Sequence, residues 1–167
     1  MAIRINGTDV AVPDDARVSL LDLLRERLHL TGSKVGCNQG ACGACTILVD
    51  GERALSCLTL AVQMDGRSVT TIEGLGSAED PHALQTAFIE HDGFQCGYCT
   101  PGQICAAAAM LREIEAGVPS YVTPDLTAPV LVSREEVRER MSGNLCRCGA
   151  HNGIVDAILQ VAAERAA

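Results

Sequence analysis

Nine of the 167 residues are cysteine, and eight of them fall into two groups whose spacing can do chemistry. Cys37-x4-Cys42-x2-Cys45, with Cys57 at the end of the hairpin that follows, has the spacing of the plant-type [2Fe–2S] loop. In such a loop four thiolates converge on two bridged irons while glycines let backbone amides approach the sulfurs. A four-cysteine zinc site is the alternative, although zinc more often takes two Cys-x2-Cys knuckles than one x4-x2 triplet. The second group pairs Cys96-Gly-Tyr-Cys99 with Cys146-Arg-Cys148, about fifty positions apart. Each pair sits at a helix end, so the four thiols meet only if the helices pack. A thioredoxin-like dithiol would expect a βαβ context, and helices follow Cys96 instead. The ninth, Cys105, lies beside Ala106 to Ala109 and reads as a buried thiol packing as a small hydrophobe.

The elements that must position these groups divide the chain. Residues 2 to 12 read as two strands turning at Asn6-Gly7. Ser19 to Leu30 has a helical period, with Ser19 as cap and Leu20, Leu23, Leu24 and Leu28 on one stripe. Gly at 32, 36, 40 and 43 makes Thr31 to Cys45 a tight loop folded around something. Thr46 to Val49, the turn Asp50-Gly51, Arg53 to Cys57 and Val69 to Ile72 supply the remaining strands. The Gly-rich, acidic run Glu73 to Pro81 is the candidate linker. Beyond it the pattern predicts four helices: His82 to His91, Thr100 to Ala116 with Thr100 as cap and Gly117 as stop, Ser133 to Met141, and Asn152 to Arg165. Val118 to Val132 holds three prolines and reads as an extended excursion, folded over its own bundle or reaching a partner.

Composition excludes several function classes. With 47% hydrophobic residues the chain is no disordered tail, and no apolar run approaches the roughly 20 residues a bilayer requires. A net charge of −8 and a single lysine, Lys34, argue against nucleic-acid or anionic-membrane partners. Two Phe, two Tyr and no Trp leave little aromatic mass, so bound metal is expected to help hold the fold. The sequence opens straight into a strand pattern with no basic, apolar and small-residue export segment, and a cytoplasmic location is the expectation. In that compartment an odd count of cysteines reads as metal or redox chemistry rather than a disulfide framework.

The stretches GCNQGACGACTILVDG, GFQCGYCTPGQICAA and MSGNLCRCGAHNGI, together with Cys57, resemble the small iron–sulfur subunit of the molybdenum hydroxylases, the xanthine oxidase family. The excursion after Gly117 and the run RERMSGNLCRCGA resemble most the periplasmic aldehyde oxidoreductase type, which carries an export segment that is not seen here. The resemblance implies an α+β chain, with an N-terminal β-grasp ferredoxin-like domain over 1–76 and a C-terminal four-helix-bundle [2Fe–2S]-binding domain over 77–167. It implies that Cys37, Cys42, Cys45 and Cys57 hold the cluster further from molybdenum and Cys96, Cys99, Cys146 and Cys148 the nearer one. Gln95 and Cys148 would then lie against the pterin of a molybdenum–molybdopterin cytosine dinucleotide cofactor in a large partner subunit, with FAD in a medium subunit of a heterotrimer, alone or dimerised. From the residues alone, Gln95 reads equally as a capping or loop-ordering amide.

No constellation for substrate turnover is present in the sequence. His29, His82, His91 and His151 read as helix-surface or helix-end residues, and Glu113, Glu115, Glu135 and Glu136 as solvated helix faces. The expected function is electron transfer from a molybdenum-dependent aldehyde oxidation on a partner, through two clusters, to FAD. The alternatives are a free-standing redox carrier, a zinc-stapled interaction module, and the small subunit of a related enzyme acting on an N-heterocycle such as xanthine.

Overall fold

Asn6 and Gly7 both take positive φ, 49° and 83°, the conformation a two-residue hairpin turn demands. They join β1 (Ala2–Ile5) to β2 (Thr8–Ala11). Asp50 and Gly51 repeat the device at 50° and 90° between β3 (Thr46–Val49) and β4 (Glu52–Leu55). With β5 (Ser68–Thr70) these strands form one sheet in the order β2-β1-β5-β3-β4. Only β1 and β5 run parallel, which gives the mixed sheet of a β-grasp. The computed structural model describes residues 1–166.

The helix across this sheet is shorter than its leucine period suggests. Ser19 accepts from the Asp22 amide at 3.0 Å, as expected of the cap, but α1 covers Leu20–Asp22 only and widens into a π-turn over Leu23–Arg27. The amide of Leu28 returns to the Leu23 carbonyl and His29 takes φ 56°, so the helix ends there and His29 lies past it. Leu20, Leu23 and Leu24 still pack with Ile3, Ile5, Ile47 and Val69 in the first core.

β3 is buried on both faces. Ile47 joins that first core, while Leu48 lies beside Ala108 on the far side. The far side is covered by α3 (Thr100–Glu115), whose residues 102 to 111 are all buried. A helix buried all round is largely apolar all round, and Ala106 to Ala109 meet that need with side chains small enough for sheet and helices to approach closely. Cys105, 1% exposed, is one of these residues and burial pushes its thiol up to about 12. α2 (Ala83–Glu90), α4 (Arg134–Arg140) and α5 (His151–Ala166) complete the bundle around Phe88, Met110, Val137, Ile154 and Ile158.

In the bundle, two caps agree with the sequence and one does not. Ser133 accepts from Glu136, and Gly117 at φ 71° ends α3 with the Val118 amide on the Glu113 carbonyl. At the other end of α3 the cap is Cys99, not Thr100. Thr100 is the first helical residue, and among the described residues its buried hydroxyl has no hydrogen-bond partner.

Sheet and bundle meet along a glycine seam. A Cβ on Gly102 would lie 2.5 Å from the Gly43 carbonyl oxygen and 3.0 Å from that of Ala44. Both contacts are backbone, so neither can swing aside. Gly102→Ala is therefore expected to cost about 1–3 kcal/mol, read as a lower midpoint in urea with both cysteine groups intact.

Candidate metal centres

The loop of residues 31–45 is tied at its base before it reaches its cysteines. Arg25 donates to the carbonyls of Thr31 and Ser33, Lys34 to those of Thr31 and Gly32, and the Glu73 carboxylate accepts from the Gly32 amide at 2.7 Å. Beyond this base the backbone curls inward, with Asn38, Gly40 and Gly43 at positive φ. Its amides turn toward sulfur: Ala41 reaches Cys37 Sγ at 3.1 Å, Gln39 the same atom at 3.4 Å, and the Cys37 amide reaches Cys42 Sγ at 3.4 Å. A Cβ on Gly36 would lie 2.7 Å from Cys42 Sγ, so only glycine lets the chain pass there.

These amides favour thiolate. Hydrogen bonds from Gln39, assisted by Ala41 and Cys42, pull Cys37 down to about 7. Cys45 is 3% exposed and faces Cys57, and burial first, then that neighbour, pushes it up to about 11. Ser56 ties the two ends together through its hydroxyl on the Cys45 carbonyl. Within this group Cys37 neighbours Cys42, and Cys45 neighbours Cys57.

The second group forms where three segments converge. Cys96 is exposed in the turn after α2, Cys99 caps α3, and Cys146 and Cys148 lie between α4 and α5. Gly97 and Gly149 take φ 77° and 81°. The facing pairs are Cys96 with Cys148 and Cys99 with Cys146. Burial pushes Cys99 up to about 12. Burial also opposes ionisation of Cys146, but the Ala150 amide, 3.4 Å from its sulfur, and the Cys99 thiol outweigh it and hold it below the usual thiol range. All four border a cavity of about 440 Å³ that Cys42 also lines.

Among the described residues no three His, Cys, Asp or Glu side chains are grouped as ligands of a single ion. Four thiols in each group, with backbone amides bonded to the sulfurs of Cys37, Cys42 and Cys146, are the donors that bridged irons take. The donor set at both sites fits a [2Fe–2S] cluster.

Gln95 is exposed beside Cys96. Of the histidines, His82 caps α2 through Nδ1 on the Leu84 amide, and His91 bonds Gln160. The acidic residues correct the sequence reading. Glu113 takes a bidentate pair from Arg53 at 2.8 and 2.7 Å. Glu136, 4% exposed, binds Ser120, Thr123 and Arg140. Neither is a solvated face. The excursion after Gly117 is anchored by these contacts and by Val130 and Val132 on the bundle core, while Tyr121, Leu126 and Leu131 project 98%, 75% and 78% exposed.

Sequence reasoning missed Asn144 and Gln103. Asn144 Nδ2 reaches the carbonyls of Gly43 (3.0 Å) and Gly102 (3.2 Å) and Thr46 Oγ1 (3.2 Å). Gln103 Nε2 donates to the Asn144 carbonyl at 2.7 Å. A polar residue between two cysteine motifs gives no periodic signal of burial.

Residues 3–65 match the family described as "2Fe-2S iron-sulfur cluster binding domain" and residues 71–159 that described as "[2Fe-2S] binding domain". The aldehyde oxidoreductase iron–sulfur-binding subunit PaoA of Escherichia coli O157:H7 is 56% identical over 164 residues, spanning 98% of this chain and 72% of that protein. Quinoline 2-oxidoreductase of Pseudomonas putida 86 contains a chain that superposes with a TM-score of 0.82 at 45% identity, covering 99% of this chain and 93% of that one. The aldehyde oxidoreductase of Desulfovibrio gigas superposes at 0.83 and 39% identity over 99% of this chain but 17% of its own.

Proposed function

Because the chain belongs to the [2Fe–2S] iron–sulfur subunits of the molybdenum hydroxylases, we propose that it is the electron-transfer subunit of a molybdenum-dependent aldehyde oxidoreductase. The observation that carries this is the division of eight cysteines into two groups of four, with backbone amides bonded to sulfur in each. Cys37, Cys42, Cys45 and Cys57 hold one cluster, and Cys96, Cys99, Cys146 and Cys148 the other. Bound there, each cluster takes up and releases one electron at a time. The chain fixes cluster order, donates amides to sulfur and sets solvent access, which together tune the potentials.

Family membership supports the order in which the group of Cys96 lies nearer molybdenum, and the surface there agrees with it. Cys96 and Gln95 stand at the surface beside Phe94 and Tyr98, 39% and 48% exposed, which suits the edge that meets a molybdopterin cytosine dinucleotide cofactor in a large partner subunit. Gln95 and Cys148 are the contacts on this chain. FAD in a medium subunit takes the electrons, in a heterotrimer working in the cytoplasm. The ferredoxin-like unit comprises residues 1–76 and the helical unit 77–167. The 45% identity to a chain of quinoline 2-oxidoreductase favours, as a second reading, an N-heterocycle as substrate.

Electron paramagnetic resonance of the reduced protein tests the assignment. Two distinct [2Fe–2S] signals and about four irons per chain are expected. A colourless protein containing zinc would end it. Copurification with molybdenum- and flavin-bearing subunits separates the embedded subunit from a free-standing carrier, which would isolate as a lone chain.

A further inference from the structure

The two cysteine groups are joined by one direct backbone contact. The Leu145 amide, adjacent to Cys146, donates to the carbonyl of Cys42 at 2.9 Å. Cys42 belongs to one group and Cys146 to the other, so a continuous path of covalent bonds, interrupted by this single hydrogen bond, runs from sulfur to sulfur. No other residue is needed as an intermediary.

The contact is held by its neighbour. Asn144, 6% exposed, spends its side-chain amide on Gly43, next to Cys42, on Thr46 and on Gly102. Its own carbonyl is gripped by the buried Gln103. Gly43 leaves no slack, since a Cβ there would lie 2.6 Å from the Gly143 carbonyl oxygen and 2.7 Å from Asn144 Nδ2. The segment carrying Leu145 is therefore pinned to the loop carrying Cys42 from both sides.

We propose that Asn144 is a positioning residue for electron transfer within the subunit, holding the Leu145 amide on the Cys42 carbonyl as the coupling link between the two sites. This rests on the ligand assignment above. With clusters held by Cys96, Cys99, Cys146 and Cys148 and by Cys37, Cys42, Cys45 and Cys57, the link would serve the passage of one electron from the reduced to the oxidised site. No bond would form or break, and the linking amide would keep its proton. A buried amide committed to three acceptors on the opposing elements does more than fill space: it fixes the distance and direction of the backbone contact between the sites.

The test uses the assembled complex carrying both clusters, with Asn144→Ala and, as a milder change that keeps volume, Gln103→Met. Three readouts apply: the magnetic interaction between the two reduced clusters, the rate at which an electron delivered by a reduced viologen equilibrates between them, and hydrogen exchange at the Leu145 amide. Asn144→Ala should weaken the magnetic interaction, expose the Leu145 amide to exchange and slow equilibration by roughly tenfold or more, the scale of penalty that ångström displacements carry. Gln103→Met should move all three in the same direction by less, and decides the matter if Asn144→Ala does not assemble. Both cluster signals present with unchanged interaction and rate would overturn the proposal while leaving the ligand assignment standing. Absence of two cluster signals in the unmodified protein would overturn the assignment and the proposal with it.

Discussion

Stripping iron from the protein should lower its melting temperature by on the order of 10–20 °C and reduce its far-UV circular dichroism, because the parts of the cysteine loops nearest the sulfurs belong to no regular element. Residues 31–45, 91–99 and 142–150 contain no strand and, apart from the capping residue Cys99, no part of a helix. Amides of Gln39, Ala41 and Ala150 find their partners on sulfur, and with the metal gone the thiols on those sites regain their freedom. The damage should not stay local. Cys42 and Leu145 connect the two loops, and Gly43 and Gly102 lie in the seam between sheet and bundle, so loosening either loop loosens that seam. An iron-free protein with native dichroism and an unchanged melting temperature would show that the clusters are passengers in the fold.

The second large effect is expected at Glu136→Ala. The Glu136 and Arg140 side chains are 5% and 3% exposed and 2.9 Å apart, and the Arg140 guanidinium also donates to the Val118 carbonyl at 2.6 Å. Removing the carboxylate leaves a buried cation with only the more distant Glu113, at 3.7 Å, as counter-ion, which costs about 3–5 kcal/mol and roughly 6–20 °C in melting temperature. Ser120 and Thr123 lose their acceptor at the same time, so the start of the excursion should become protease-sensitive. Burial alone would raise the carboxyl, but the hydroxyls of Thr123 and Ser120 and the Arg140 guanidinium hold it below its usual range. A depressed carboxyl contributes stability above its unfolded value, near pH 4.3, and loses that contribution as pH falls through the folded value. The gap between the native protein and Glu136→Ala, measured by urea denaturation, should thus be full at neutral pH and narrow in acid. A constant gap would assign the loss to packing.

Local chemistry makes the turns and several caps legible in the sequence itself. Asn6-Gly7, Asp50-Gly51, Ser133 and Gly117 each act within a few residues, and each behaves as its type dictates. Short spacing likewise brings Cys37 and Cys42 together within one loop, whereas Cys96, Cys99, Cys146 and Cys148 border one cavity only because separate segments converge. What cannot be read there depends on residues far apart in the chain. Glu136 has the sequence surroundings of a solvated helix face and is buried only because Ser120 and Thr123 arrive from the excursion while Arg140 turns onto it from the next turn of its own helix. Thr100 has the composition of a cap, yet Cys99 is drawn into that place at the convergence of Cys96, Cys146 and Cys148. The π-turn at Leu23–Arg27 keeps the leucine stripe but shortens the helix that the stripe predicts. Asn144 shows the limit most clearly, since its three acceptors lie 42, 98 and 101 positions away.

The burial of β3 on both faces bears on how such chains recombine. A ferredoxin-like unit that stood alone could be fused, moved or exchanged as a cassette. Here Leu48 is roofed by α3 and Gly43 accommodates Gly102, so the outer surface of the sheet is complete only with its own bundle. A chimaera joined at the acidic stretch before Pro81, taking each half from a different relative, would inherit a mismatched roof unless the glycines at both positions and the alanines between 106 and 109 came with it. The two halves are separable as patterns and inherited as a pair.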